Sequence, residues 1–90
     1  MKTLKFRISG TVQGVFFRKF VKDNADKLGV RGFVRNLEDG SMEVLAEGRD
    51  EIVDEFLSEC EKGTKHAEIK KIDVQEIRHQ GFKDFRISSL

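Results

Sequence analysis

The apolar positions change period several times along the chain, and each change marks an element. Leu4, Phe6 and Ile8 alternate with Lys5, Arg7 and Ser9, the two-residue period of a strand with one buried face. Gly10-Thr11-Val12-Gln13-Gly14-Val15 breaks that alternation with two glycines and reads as a loop. Helical spacing follows in Phe17, Phe20, Val21, Ala25 and Leu28, with Lys19, Lys22, Asp23, Asp26 and Lys27 off the stripe and Gly29 as the stop. A second strand is predicted over residues 30–36, and the Asp39-Gly40 pair folds it back into residues 41–47 as a hairpin. Ile52, Val53, Phe56, Leu57 and Cys60 mark a second helix, whose positive N-terminal end suits the acidic Asp50 and Glu51 and which Gly63 ends. The tail alternates at Ile72 and Val74 and again at Phe85 and Ile87. Ile69 and Ile77 fall out of phase with the first pair, which predicts a bulge or an early strand end.

The resulting order is strand, helix, strand, strand, helix, strand, with a short final strand. Strands with one polar face imply a mainly antiparallel sheet whose other face is covered by both helices, an α+β class. The split βαβ, ferredoxin-like arrangement is the simplest solution. That fold hosts enzymes, RNA binders and metal carriers, so function has to be sought in a site. Ninety residues allow one domain, 1–90, and at this size folding hides only about 60 to 65% of the chain's surface. A small, open site on an edge or loop is therefore expected.

Charge narrows the choice further. Seventeen Lys and Arg against 16 Asp and Glu leave a net charge of +1, so no broad basic field drives nucleic-acid or membrane binding, and any anion site must be local. No run of 18 apolar residues occurs, and Lys2, Lys5 and Arg7 interrupt the first ten residues where a signal peptide would be apolar. The lone Cys60 cannot form an internal disulfide, and no Cys/His cluster has zinc spacing. A soluble protein of the cytoplasm, bound to no membrane, is expected.

Candidate chemistry gathers around the first loop. A glycine-bracketed loop entering a helix can point successive backbone N–H groups at one spot, backed by the positive end of the helix dipole. Arg18 stands in the first turn, where its planar guanidinium could hold two phosphate oxygens at once. The loop lacks the Gly-Lys-Ser/Thr ending of a nucleotide-binding loop and the three-glycine dinucleotide pattern. Asn36 joins by dimension: the helix from Phe17 advances about 18 Å, and the following strand returns about 20 Å. If the two pack antiparallel, Asn36 ends beside Arg18 and the loop. A neutral amide can orient a water or donate to phosphate, and unlike Asp it does not repel an anion.

Ile8-Ser9-Gly10-Thr11-Val12-Gln13-Gly14-Val15-Phe16-Phe17-Arg18, followed by Gly32-Phe33-Val34-Arg35-Asn36 and by Asp39-Gly40 with Gly48 closing, resembles the two signatures of the acylphosphatases. The likeness spans most of the chain, including a last strand from Gly81-Phe82 to Ile87. It implies hydrolysis of an acyl phosphate, a small-molecule mixed anhydride, to a carboxylate and inorganic phosphate by a monomer, without metal or cofactor. By the same resemblance, Arg18 binds the phosphoryl group together with the backbone of Gln13, Gly14, Val15, Phe16, Phe17 and Arg18, and Asn36 positions the attacking water. Met42 departs from the Val usual after a Gly-Ser pair, a change expected to affect packing alone. The ending Ser88-Ser89-Leu90 departs from the aromatic terminus of many members, which puts any contact made by that terminus in question.

Other candidates read more simply. Cys60 lies on the apolar stripe of the second helix and suits core packing, since a Cys-x5-Arg phosphatase loop would need Arg where His66 stands. Gln80 interrupts the Arg78-His79 pair before Gly81, so His79 is assigned to the surface, and Glu38 and Asp39 to a solvated turn. Two other functions compete: a binding or regulatory module that keeps the anion cradle with little turnover, and an RNA-binding sheet using Phe33 with Arg7, Arg31 and Arg35. The near-neutral charge weighs against nucleic acid as a partner.

Overall fold

A computed structural model describes residues 1–88. Seven elements follow in chain order: β1 (Lys2–Thr11), α1 (Val15–Leu28), β2 (Arg31–Asn36), β3 (Met42–Gly48), α2 (Asp50–Lys62), β4 (Glu68–Ile77) and β5 (Phe85–Ile87). The alternation in β1 sorts its side chains as expected. Leu4, Phe6 and Ile8 turn inward with Met42, Val44 and Ala46 of β3, and meet Phe17, Val21 and Ala25 of α1 and Val53, Phe56 and Cys60 of α2. Both helices cover that one apolar face, giving the ferredoxin-like layering.

The sheet order is β4-β1-β3-β2-β5. All neighbouring pairs run antiparallel except β2 and β5, which are parallel. Because β3 lies between β1 and β2 and opposes both, the C-terminal ends of β1 and β2 open at the same end of the sheet. Ile8 pairs with Met42, and Met42 with Asn36, so the end of β2 lies level with the last turn of alternation in β1. This is the end that carries the glycine-bracketed loop.

Two boundaries differ from the sequence reading. Gly10 and Thr11 remain in β1, paired with Ile69 and Glu68, and α1 already begins at Val15, so the loop is only residues 12–14. Gly10 approaches β4 so closely that a Cβ there would lie 2.1 Å from the Glu68 carbonyl oxygen. The predicted bulge falls opposite this point: Ser9 faces Lys71 while Gly10 faces Ile69, leaving Lys70 as the extra residue. The extra residue restores Ile69 to the core side with Ile72, and both are packed against the core. Ile77 is paired with Thr3 on the sheet's other face.

The parallel β2–β5 pair requires a crossing, because β4 and β5 occupy opposite edges of the sheet. Residues 78–84 make it at the end remote from the loop, held by Glu47. Its carboxylate is fully buried and accepts from Thr3 Oγ1 (2.6 Å) and from the backbone N–H groups of Gln80 (2.6 Å), Gly81 (2.9 Å) and Phe82 (2.9 Å). His79 Nδ1 lies 3.2 Å away. Burial alone would push this carboxyl up, but the Thr3, Gln80 and Phe82 hydrogen bonds and His79 outweigh it and hold it at about 2. Among the described residues no helix is long and apolar enough to cross a membrane. The terminal departure read in the sequence falls on residues 89 and 90, outside the described ones.

Candidate functional site

The N-terminus of α1 is built to stay open. Its cap is Gly14, with φ 118° and ψ 166°, a backbone region that side-chain-bearing residues rarely enter. Gly14 supplies no capping side chain, and no acidic residue stands in the first turn, whereas α2 has Asp50 and Glu51 there. The helical ladder starts where the Arg18 N–H donates to the Gly14 carbonyl at 3.4 Å. The amides of Gly14, Val15, Phe16 and Phe17 precede that bond and have no acceptor within the helix. Arg18 therefore spends its own amide on the helix and offers its guanidinium. Phe17, 3% exposed, anchors the turn in the core, while Val15 and Phe16 remain in solvent.

Arg18 is half-buried, and its Nε reaches back to the Gly14 carbonyl at 3.5 Å. Among the described residues no carboxylate lies within ion-pair distance of it, in contrast to Arg7, Arg35 and Arg86, each paired with an acid. An unneutralised guanidinium beside unpaired amides concentrates positive potential at one point of a nearly neutral molecule.

Gln13 joins this point to β2. Its side-chain amide donates to the carbonyls of Leu37 (2.9 Å) and Ser41 (3.3 Å), the two ends of the β2–β3 turn. Asn36, the last residue of β2, precedes Leu37 directly. Its Oδ1 is buried and has no hydrogen-bond partner among the described residues, an uncommon state for a buried carbonyl oxygen. The structure thus gathers Gln13, Gly14, Val15, Phe16, Phe17, Arg18 and Asn36 at one end of the sheet. The bridging role of the Gln13 side chain had no sequence signal, since a Gln in a loop reads as solvated.

The remaining candidates are placed elsewhere or are engaged. Asp39 accepts from the Ser41 N–H (2.9 Å) and hydroxyl (2.5 Å) and pairs with Arg7, so it fastens the hairpin turn. Burial, with Glu59 and Glu61 adding to it, pushes the Cys60 thiol up to about 12, so it stays protonated in the core. His79 sits by Glu47 at the far end. Phe33 meets Phe82 edge-on with ring centres 5.9 Å apart, and Arg35 is paired with Glu43 at 2.8 Å. A hollow of about 600 Å³ lies by Phe33 and Phe82, away from the loop. A smaller cavity of about 150 Å³ adjoins the loop, with His66 and Thr64 on its rim, and is lined by neither Arg18 nor Asn36.

Comparison with known proteins gives the same direction. The acylphosphatase family model matches residues 4–87. The acylphosphatase of Thermotoga petrophila is 44% identical over 87 residues, covering 97% of this chain and 97% of that protein. The crystal structure of acylphosphatase from Bacillus subtilis superposes with a TM-score of 0.93 at 36% identity, covering 98% of this chain and 99% of that one. An acylphosphatase structure from Coxiella burnetii gives 0.90 at 31% identity, with 97% and 92% covered. A family model spanning nearly all the described residues, and relatives alike in both sequence and fold, establish that the chain belongs to the acylphosphatase family and has that family's hydrolase activity.

Proposed function

We propose that this enzyme hydrolyses acyl phosphates by a three-part division of labour. The backbone amides of the loop and first turn, residues 13–17, and the Arg18 guanidinium hold the phosphoryl oxygens, and Asn36 Oδ1 aligns the attacking water. The buried, unpartnered Asn36 Oδ1 carries this reading. A carbonyl oxygen left unpaired in the interior costs about 1–3 kcal/mol, and a water held there would satisfy it at the end of the sheet where Arg18 stands.

The chemistry suits so spare a site. An acyl phosphate expels a carboxylate, whose conjugate acid has a pKa of about 4, so the leaving group needs no proton. Phosphoryl transfer through a loose transition state depends on alignment and on donors aimed at the equatorial oxygens. Amides and a guanidinium provide those donors, and the neutral Asn36 holds water without repelling the anion. The enzyme works as a one-domain monomer of the cytoplasm and takes its charge stabilisation from protein donors. Phosphate release from acetyl phosphate in the presence of a chelator tests this. Release well above buffer is expected, and a rate equal to buffer would overturn it.

A further inference from the structure

Two core anchors, Val12 and Phe17, hold the loop, while Gln13, Gly14, Val15 and Phe16 between them lie in solvent. Gly14 adds the backbone freedom of a residue without Cβ to that exposed stretch. The β2–β3 turn opposite is complete without the loop. Its Leu37 N–H donates to the Ser41 carbonyl (2.8 Å) and its Gly40 N–H to the Leu37 carbonyl (3.2 Å). Asp39 accepts from the Ser41 N–H (2.9 Å), and Arg7 Nε donates to the Ser41 hydroxyl (3.2 Å). Gln13 Nε2 spends its two N–H groups on the remaining lone pairs of the same two carbonyls, Leu37 at 2.9 Å and Ser41 at 3.3 Å. Among the described residues, no other hydrogen bond links residues 13–16 to β2, β3 or their turn.

We infer that the Gln13 side chain is a positioning residue, a strut that sets the distance and angle between the phosphoryl cradle and the water-aligning Asn36. The inference rests on the reading of Asn36 given above. Leu37, whose carbonyl takes the shorter bond, follows Asn36 directly, so the strut runs from the first cradle residue to the peptide beside the water-holding group. The cradle amides and Arg18 are contiguous at the start of α1 and move together. Their relation to Asn36 crosses between segments distant along the chain, and Gln13 fixes it there. Attack in line with the leaving group depends on that relation, and a displacement of about 1 Å can cost about 100-fold in rate. Because the turn keeps its own bonds and Gln13 is exposed, loss of the strut loosens alignment and leaves the fold intact.

Gln13→Met, of similar length but without N–H donors, and Gln13→Ala test the assignment with acetyl phosphate. Both are expected to lower kcat about tenfold or more, while the inhibition constant of inorganic phosphate stays within about twofold. A kcat within about twofold of the unaltered enzyme in Gln13→Met would overturn the strut. Phosphate binding lost in proportion to kcat would overturn it too, by making the side chain part of the cradle, and failure of both variants to fold would do so by assigning it to stability. Gln13→Ala is then combined with Asn36→Ala. A strut acting through Asn36 has little left to contribute once that amide is gone, so the double variant should turn over within about twofold of Asn36→Ala alone. Single losses that multiply in the double variant are the mark of independent sites and would overturn the inference. The Asn36 reading is checked apart from it: a fall in kcat in Asn36→Ala supports that reading, and unchanged turnover there would refute it whatever Gln13 does.

Discussion

In the proposed mechanism Arg18 and Asn36 act through different physics, and substitution should separate them. Arg18 offers a planar fork that two phosphate oxygens can share, a geometry that a point charge on a flexible stem does not reproduce. Arg18→Ala is expected to lower kcat/KM by about 10²–10³ or more, on the scale of losing a donor to developing charge, and Arg18→Lys to recover little of it. Steady-state hydrolysis of acetyl phosphate checks both, and near-normal turnover in Arg18→Lys would remove the fork from the mechanism. Asn36→Ala should lower kcat about 100-fold while competitive inhibition by inorganic phosphate stays within about twofold, since water alignment is a transition-state contribution. Equal loss of phosphate binding would move Asn36 into the cradle. The placement of both residues at one end of the sheet was legible in the sequence, that of Arg18 from its position after a glycine-bracketed loop and that of Asn36 from matched helix and strand lengths. The buried state of Asn36 Oδ1 and the reach of Gln13 to the Leu37 carbonyl were not, because each depends on which segment the fold lays across the loop.

At the scale of elements, two nearby glycines, Gly10 within β1 and Gly14 at the cap of α1, serve different ends. Gly14 has open space around the position of a Cβ but a backbone conformation that disfavours one. Gly14→Ala should therefore cost about 1–3 kcal/mol of strain, and should lower activity further by displacing the first-turn amides. Gly10→Ala drives a Cβ against the Glu68 carbonyl and should destabilise more than Gly14→Ala, through the β1–β4 pairing. Urea denaturation of the two variants, with activity measured on the folded protein, checks the contrast. The bulge in β4 was readable because Ile69 and Ile72 cannot share a face at period two without an extra residue. The start of α1 was not, because Val15 and Phe16 are exposed and add nothing to the apolar stripe.

For the whole molecule, the carboxylate of Glu47 ties the crossing segment to the sheet. Its carboxyl lies at about 2 in the folded chain against an ordinary value of 4.5. A group depressed in this way stabilises the fold fully above its unfolded value and loses that contribution as pH falls. Acid unfolding should therefore remove about 3 kcal/mol between about pH 4.5 and pH 2. Glu47→Gln should flatten that loss and cost about 2 kcal/mol at neutral pH, with kcat preserved because Glu47 lies at the end of the sheet remote from the loop. Thermal melts across pH check the first point and acetyl phosphate kinetics the second. By itself the sequence determined the periods, hence the elements and their order, and it determined the loop, arginine and asparagine that mark the family. The tertiary structure was needed to show that Glu47, an ordinary strand residue by its alternation, is buried beneath a crossing backbone, and that the Asn36 carbonyl oxygen is buried without a partner at the end of β2. Periodicity records which face of its own element a residue occupies. What covers that face comes from segments distant along the chain, and their placement follows from the packing of all the elements together.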